Sequence, residues 1–235
     1  MVKRLALIPA RYNSKRILKK NIKIFSKKPI ILHVLEEIKK SKLFTEIHIS
    51  TESKEIFSLV KKFNYKVEFM RPKYLANDQT VLIDVMNFVI KKYKKLQKSF
   101  DELWLILPTA ALIKKEDLIK ASKYYKKNKI KNMMAVSKFP APIEWSMKIE
   151  KNILKPLKKS SLDLPSSLFK DTYYDTGTFI VYDIKNLLKN KIKKNIDFSP
   201  YILPSYKGVD IDTLDDWKYA ELSHRHMLKK KYEKK

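Results

Sequence analysis

Residues 5–21 read Leu5-Ala6-Leu7-Ile8-Pro9-Ala10-Arg11-Tyr12-Asn13-Ser14-Lys15-Arg16-Ile17-Leu18-Lys19-Lys20-Asn21. The apolar run 5–8 predicts a short buried strand. The polar stretch after it carries five cations, Arg11, Lys15, Arg16, Lys19 and Lys20, and the hydroxyl of Ser14. From Pro29 onward, Ile31, Leu35 and Ile38 share one helical face, and proline is tolerated in a helix's first turn. Strand, long loop, helix is the opening of an α/β fold.

The alternation continues outward from this stretch. Strands are predicted at 46–50, 66–70, 103–107 and 133–137, and helices at 53–63, 80–95 and 115–127, which implies a mostly parallel sheet flanked by helices. Ligands of such sheets bind beyond the strands' carboxyl ends, so the loops after Ile8, Met70 and Leu107 should meet at one rim. Residues 139–174 interrupt the pattern with prolines at 140, 142, 156 and 165 and read as an excursion from a single domain spanning 1–235. A strand resumes at 178–182. A last helix starts at Thr213, with Thr213 and Asp216 in a capping-box spacing and Leu214, Trp217 and Ala220 on its buried side. Residues 225–235 read as a frayed basic tail.

Composition narrows the chemistry. The 235 residues lack cysteine and contain four scattered histidines, which argues against thiol catalysis and zinc; any metal should have oxygen ligands. No apolar run reaches the roughly 18 residues of a membrane span. Residues 1–9 do not read as a signal peptide, so a cytoplasmic location is expected. Fifty-two basic against 25 acidic residues give a formal charge of +27, yet the lysines are spread over nearly every helix, which favours solvated faces over a nucleic-acid stripe. Only Gly177 and Gly208 are glycine, so both are candidates for positions where the backbone requires it.

The first loop can act as an anion cradle: a triphosphate carries about four negative charges and needs several converging donors. Charge alone favours the simpler reading, a solvated basic loop. Asp210 and Asp212 lie two apart in an extended segment, so both carboxylates face one side and could share a Mg²⁺. Alternatively, Asp212 only supports the following helix N-terminus.

The string Ile8-Pro9-Ala10-Arg11, Ser14-Lys15-Arg16-Ile17, Lys20-Asn21 resembles the signature of the acylneuraminate cytidylyltransferases. Arg71-Pro72 to Leu75-Ala76 and Asp78, then Pro108-Thr109, then Asp210-Ile211-Asp212-Thr213 with Asp216-Trp217 and Ala220-Glu221 follow in the family's order. The resemblance implies a three-layer Rossmann-like nucleotide-diphospho-sugar transferase fold, with CTP and an acidic nine-carbon sugar as substrates, Mg²⁺ as cofactor and a homodimer. By resemblance, Arg11, Ser14, Lys15 and Lys20 would hold the triphosphate, Lys20 lying near the α-phosphate, and Asn21 would meet the nucleoside. Arg71 and the backbone around Thr80 would read cytosine, and Arg11, Lys20 and Asp210 are the catalytic candidates. For Arg71 the alternative is a structural ion pair, with Asp78 as the candidate partner.

Phe139-Pro140-Ala141-Pro142-Ile143 and Tyr174-Asp175-Thr176-Gly177-Thr178-Phe179 look most like the pseudaminic acid branch. Tyr174 and Asp175 are then sugar contacts, although Asp175 could simply be a turn residue before Gly177. With no arginine between Arg71 and Arg225, Lys148 and Lys170 are the candidates for the sugar carboxylate. The chain departs from the family at Tyr12 and Asn13, where glycine is usual, and at Leu18 and Ala111, where proline is. Leu107 replaces a glutamine of the sialic acid enzymes and disfavours N-acetylneuraminate. Sialic, legionaminic and Kdo cytidylyltransferases, and a non-catalytic polyanion-binding protein, are the alternatives.

Overall fold

In a computed structural model that describes residues 2–189 and 197–232, the opening strand β1 (Arg4–Pro9) runs near the middle of the molecule. Leu5 and Leu7 point to one face and Ala6 and Ile8 to the other, and all four are fully buried. A strand apolar on both faces needs cover on both. A loop and the 3₁₀ turn Lys20–Ile22 lead to a small hairpin, β2 (Ile24–Phe25) and β3 (Lys28–Pro29), and then to α1 (Ile30–Ser41). There follow β4 (Glu46–Ser50), α2 (Lys54–Lys62), α3 (Leu82–Lys95), β5 (Glu102–Ile106), α4 (Lys115–Lys127) and β6 (Asn132–Lys138). The chain then leaves the sheet and forms the hairpin β7 (Met147–Glu150) and β8 (Ile153–Pro156). It returns as β9 (Tyr173–Asp183), α5 (Ile184–Lys189), β10 (Ser199–Ile202) and α6 (Leu214–Tyr232).

Six strands form the central sheet in the order β10-β6-β9-β5-β1-β4. All neighbours are parallel except at β9, which runs antiparallel to both β5 and β6. One face buries Ala6, Ile8, Trp104 and Ile106 under α1, α2 and α4. The other buries Leu5, Leu7, Leu103 and Leu105 under α3 and α5. The result is the three-layer α/β architecture expected from the alternation. Among the described residues no helix is long and apolar enough to cross a membrane.

Three expectations from the sequence are corrected. Residues 66–70 are not a strand. Their alternation is real, with Phe69 stacked among His48, Phe88 and Tyr93 and Glu68 paired to Lys66 and Lys98. Side-chain packing satisfies such a pattern without a hydrogen-bonded ladder, so period alone overstated it. Leu214 is 55% exposed, whereas Trp217 and Ala220 are buried as expected. α6 also continues to Tyr232 instead of fraying near Arg225. Lys, Leu and Met favour helix, and Met227 packs against the cluster that holds Trp217; residues 233–235 of the expected tail lie outside the described residues.

The antiparallel insertion matters for function. Since β9 runs against its neighbours, its amino-terminal end lies where they end: Asp175 pairs with Val136 and Tyr174 with Ser137 in β6. Tyr174, read as the last residue of an excursion, and Asp175, read as preceding the resumed strand, are therefore both strand residues at this rim. A third apolar cluster, Ile17, Phe25, Ile30, Ala111, Leu112, Ile211, Trp217 and Ala220, pins the first loop and α6 together beside that rim.

Gly208 sits where side chains leave no room. A Cβ there would lie 2.7 Å from Ser137 Cβ and 2.8 Å from Thr176 Cγ2. Neither neighbour can yield readily, because the Ser137 hydroxyl donates to Leu203 O (3.2 Å) and the Thr176 hydroxyl to Ala135 O (2.9 Å). Gly208→Ala should cost about 1–3 kcal/mol through overpacking. In a chain of this size that lowers the melting temperature by roughly 2–4 °C per kcal/mol, measurable by thermal circular dichroism; an unchanged transition would contradict this packing.

Candidate active site

A cavity of about 510 Å³ opens at the carboxyl end of the sheet, and Arg11, Ser14, Lys15, Lys20, Asn21, Arg71 and Thr80 all line it. These are seven of the nine residues the sequence offered as substrate contacts; Tyr174 and Asp175 lie elsewhere on the rim. Arg16, Asp78, Leu82, Val85, Leu107, Pro108 and Thr109 complete much of the wall. The cavity is thus cationic on the side of the first loop and apolar beneath α3.

The first loop is held from below by Ile17, 2% exposed, and from inside by Asn21, whose side-chain amide donates to Arg11 O (2.8 Å). Its left-handed residue is Lys19, with φ 50°. Neither Tyr12 nor Asn13 has a positive φ, so the positions where the family carries glycine do not require it here. Tyr12 instead packs against the core and sits under the Lys19 ammonium, 5.1 Å from its ring centre. Leu18, in the family's proline position, is simply exposed.

The loop's cations are braced by two distant carboxylates. Asp78 takes Arg11 Nη1 at 2.8 Å and Lys15 Nζ at 2.7 Å, and these two donors hold its carboxyl below the ordinary range. Asp212 takes both Nη groups of Arg16 at 2.8 Å and Lys20 Nζ at 3.2 Å. Lys20 also donates to Ile211 O (2.6 Å). Asp212 is therefore more than support for a helix. The capping is done by Thr213 and Asp216: the Thr213 hydroxyl accepts the Asp216 N–H (3.2 Å), and Asp216 Oδ2 accepts from the Thr213 N–H (2.7 Å) and the Asp212 N–H (3.1 Å).

Arg71 is buried and its ion pair is to Glu52, Nη2 to Oε2 at 2.9 Å, not to Asp78. Its Nε is buried without a protein partner. Glu52 escaped the sequence reading. The available signal was an acid just past strand 46–50, hence at the same rim as the other strand-end loops.

Asp210 lies beside Gly177, whose φ is +57°; a Cβ there would stand 2.6 Å from Asp210 Oδ1. Burial, then the charge of Asp212, pushes the Asp210 carboxyl above its ordinary range, and Asp175 adds to the effect. Tyr174 donates its hydroxyl to Gly208 O (2.9 Å), and Asp175 accepts from the Gly177 N–H (2.9 Å). The Asp-x-Gly turn chemistry is thus present, alongside whatever Asp175 offers to a ligand. Lys148 pairs with Glu150 in the β7–β8 hairpin, and Lys170 lines a separate cavity with Phe139, Pro140 and Pro142; neither reaches the first cavity.

Among the described residues no three His, Cys, Asp or Glu side chains gather to cage a metal. Two mutually repelling carboxylates beside a phosphate-sized cationic loop nonetheless fit Mg²⁺. That ion is usually held by one or two carboxylates, substrate phosphates and water.

Comparison with known proteins gives the chain's relatives. Pseudaminic acid cytidylyltransferase of Campylobacter jejuni is 29% identical over 230 residues, covering 95% of this chain and 97% of that one. CMP-N,N'-diacetyllegionaminic acid synthase of Legionella pneumophila is 29% identical over 220 residues, covering 92% and 94%. The fold matches that of CMP:2-keto-3-deoxy-manno-octonic acid synthetase complexed with CTP, with a TM-score of 0.71, 16% identity and coverage of 96% and 99%. At that identity the likeness is one of fold. A family profile described as cytidylyltransferase matches residues 5–229, and the chain belongs to that family.

Proposed function

We propose that this cytidylyltransferase transfers CMP from CTP to the anomeric hydroxyl of a nonulosonic acid, pseudaminic acid by preference, releasing pyrophosphate. The observation that carries the reading is the single cavity in which the loop cations Arg11, Lys15 and Lys20 face buried Arg71. Phosphates belong at the first end and the base at the second. The named activities of the two relatives above support the sugar class, and the resemblance of the sequence at 139–143 and 174–179 to the pseudaminic acid branch supports the choice within it.

In the reaction the anomeric oxygen attacks the α-phosphorus, a new P–O bond forms, and the bond to the bridging oxygen breaks with its electron pair leaving on pyrophosphate. Such a transition state spreads charge over phosphate oxygens, so positioned cations carry most of the catalysis. Triphosphate oxygens replace the carboxylates of Asp78 and Asp212 as partners of Arg11, Lys15, Arg16 and Lys20. Lys20, anchored on Ile211 O, stays beside the segment that carries Asp210 and Asp212. Those two carboxylates would hold Mg²⁺, which would neutralise phosphate charge when bound. Asp210 is also the candidate acceptor of the hydroxyl proton.

Tyr174 and Asp175, at the start of β9, are offered as sugar contacts. Leu107 in the wall removes the polar contact expected for N-acetylneuraminate. The exposed apolar side chains Ile149, Ile153, Leu154 and Leu157 of the hairpin region support a homodimer through the excursion. A cytoplasmic location follows from the nucleotide substrate.

Incubated with CTP, Mg²⁺ and a panel of nonulosonic acids, the protein should release pyrophosphate fastest with pseudaminic acid. Release with none of the panel would overturn the reading. Lys20→Ala and Asp212→Ala should each lower kcat by about 10²–10³-fold while the circular dichroism spectrum stays unchanged; full activity in Asp212→Ala would remove the metal assignment. Chelation should abolish turnover and added Mg²⁺ restore it, whereas activity that persists in excess chelator argues against any metal.

A further inference from the structure

Glu52 is a side chain with two jobs at once. Its Oε1 accepts the backbone N–H of Tyr12 at 2.8 Å, inside the first loop, and its Oε2 accepts Arg71 Nη2 at 2.9 Å. The two partners belong to segments about sixty residues apart in sequence, and one carboxylate joins them. Both faces of the pair are shielded, with side-chain exposure of 13% for Glu52 and 4% for Arg71.

The residue is also rigidly mounted. One residue, Thr51, separates it from the end of β4; Ser50 O accepts from the Ala10 N–H and Thr51 O from the Arg71 N–H, both at 2.9 Å. Immediately after it, Ser53 caps α2 through its hydroxyl, which accepts the Ile56 N–H at 3.3 Å. A carboxylate fixed at strand end and helix cap has few ways to move, which is the condition for positioning another side chain accurately.

We infer that Glu52 is a positioning residue for base selection: it fixes the Arg71 guanidinium against the first loop, so that base reading and phosphate binding share one geometry. The inference rests on the reading of Arg71 given above. With Nη2 committed to Glu52, the guanidinium of Arg71, a residue that lines the cavity, is held in one orientation. A fixed donor there suits a pyrimidine whose ring nitrogen is an acceptor, as in cytosine, and opposes one whose ring nitrogen carries hydrogen, as in uracil. The buried ion pair is then explained by orientation instead of stability, since such pairs gain little net free energy.

The carboxylate chemistry makes the claim sharp. Both partners are donors, so Glu52 needs two acceptor oxygens. Glutamine offers one oxygen and an NH₂ group that would face a donor; aspartate keeps both oxygens on a stem one methylene shorter.

The test measures CTP and UTP affinity by calorimetry, without sugar, for the full chain, Glu52→Gln and Glu52→Asp. The full chain should prefer CTP, and both variants should lose at least about ten-fold of that preference. A purely structural role would weaken the two nucleotides alike and leave their ratio unchanged; that result in either folded variant overturns the inference. If Glu52→Gln fails to fold, Glu52→Asp, which retains the buried charge pair, decides alone, and its own failure to fold would mark Glu52 as a structural residue and overturn the inference too. A full chain with no preference for CTP instead removes the reading of Arg71, and this role with it.

Discussion

Between residues 11 and 20 the chain crowds Arg11, Lys15, Arg16, Lys19 and Lys20 onto one loop, and like charges at that spacing repel. The loop holds one shape because carboxylates from remote segments meet it: Asp78 takes Arg11 and Lys15, Asp212 takes Arg16 and Lys20, and Glu55 takes Lys19. Most of these pairs are partly exposed, and exposed pairs contribute little net stability each. Their importance is geometric. They keep four cations, Arg11, Lys15, Arg16 and Lys20, lining one cavity, each paired to a carboxylate whose oxygens another anion could replace.

The rest of the rim is arranged around that loop. Ile17 anchors it in the apolar cluster shared with Trp217 and Ala220 of α6, so the helix that follows Asp210 and Asp212 is docked against the same element that carries Lys20. On the other flank, Glu52 ties the loop to Arg71. The loop cations, the acidic pair and Arg71 are therefore all tied to one segment. Displacing it would be felt in all three.

The glycines show how little slack the rim has. In a sequence with two glycines, both lie where a Cβ would strike a neighbour: Gly177 against the Asp210 carboxylate and Gly208 against Ser137 and Thr176. Gly177 belongs to β9, the strand that runs against its neighbours. Its missing side chain is what lets the Asp210 carboxylate approach the end of that strand.

Much of this was readable in the amino-acid order. Periodicity located β1, β4, β5, β6, α1 and α4 closely because those elements are decided by local burial patterns; the first-loop motif located five cavity residues, and the stretch from Arg71 to Thr80 two more. The 66–70 segment failed because an alternating pattern does not say whether a neighbouring strand is there to bond. What only the tertiary structure decided were the partners: β9 inserted antiparallel between β5 and β6, Glu52 rather than Asp78 beside Arg71, and Asp212 shared by Arg16 and Lys20. Periodicity is a property of residues a few positions apart, whereas an ion pair across 196 positions, like that of Arg16 and Asp212, depends on how whole layers pack, and no local pattern encodes it.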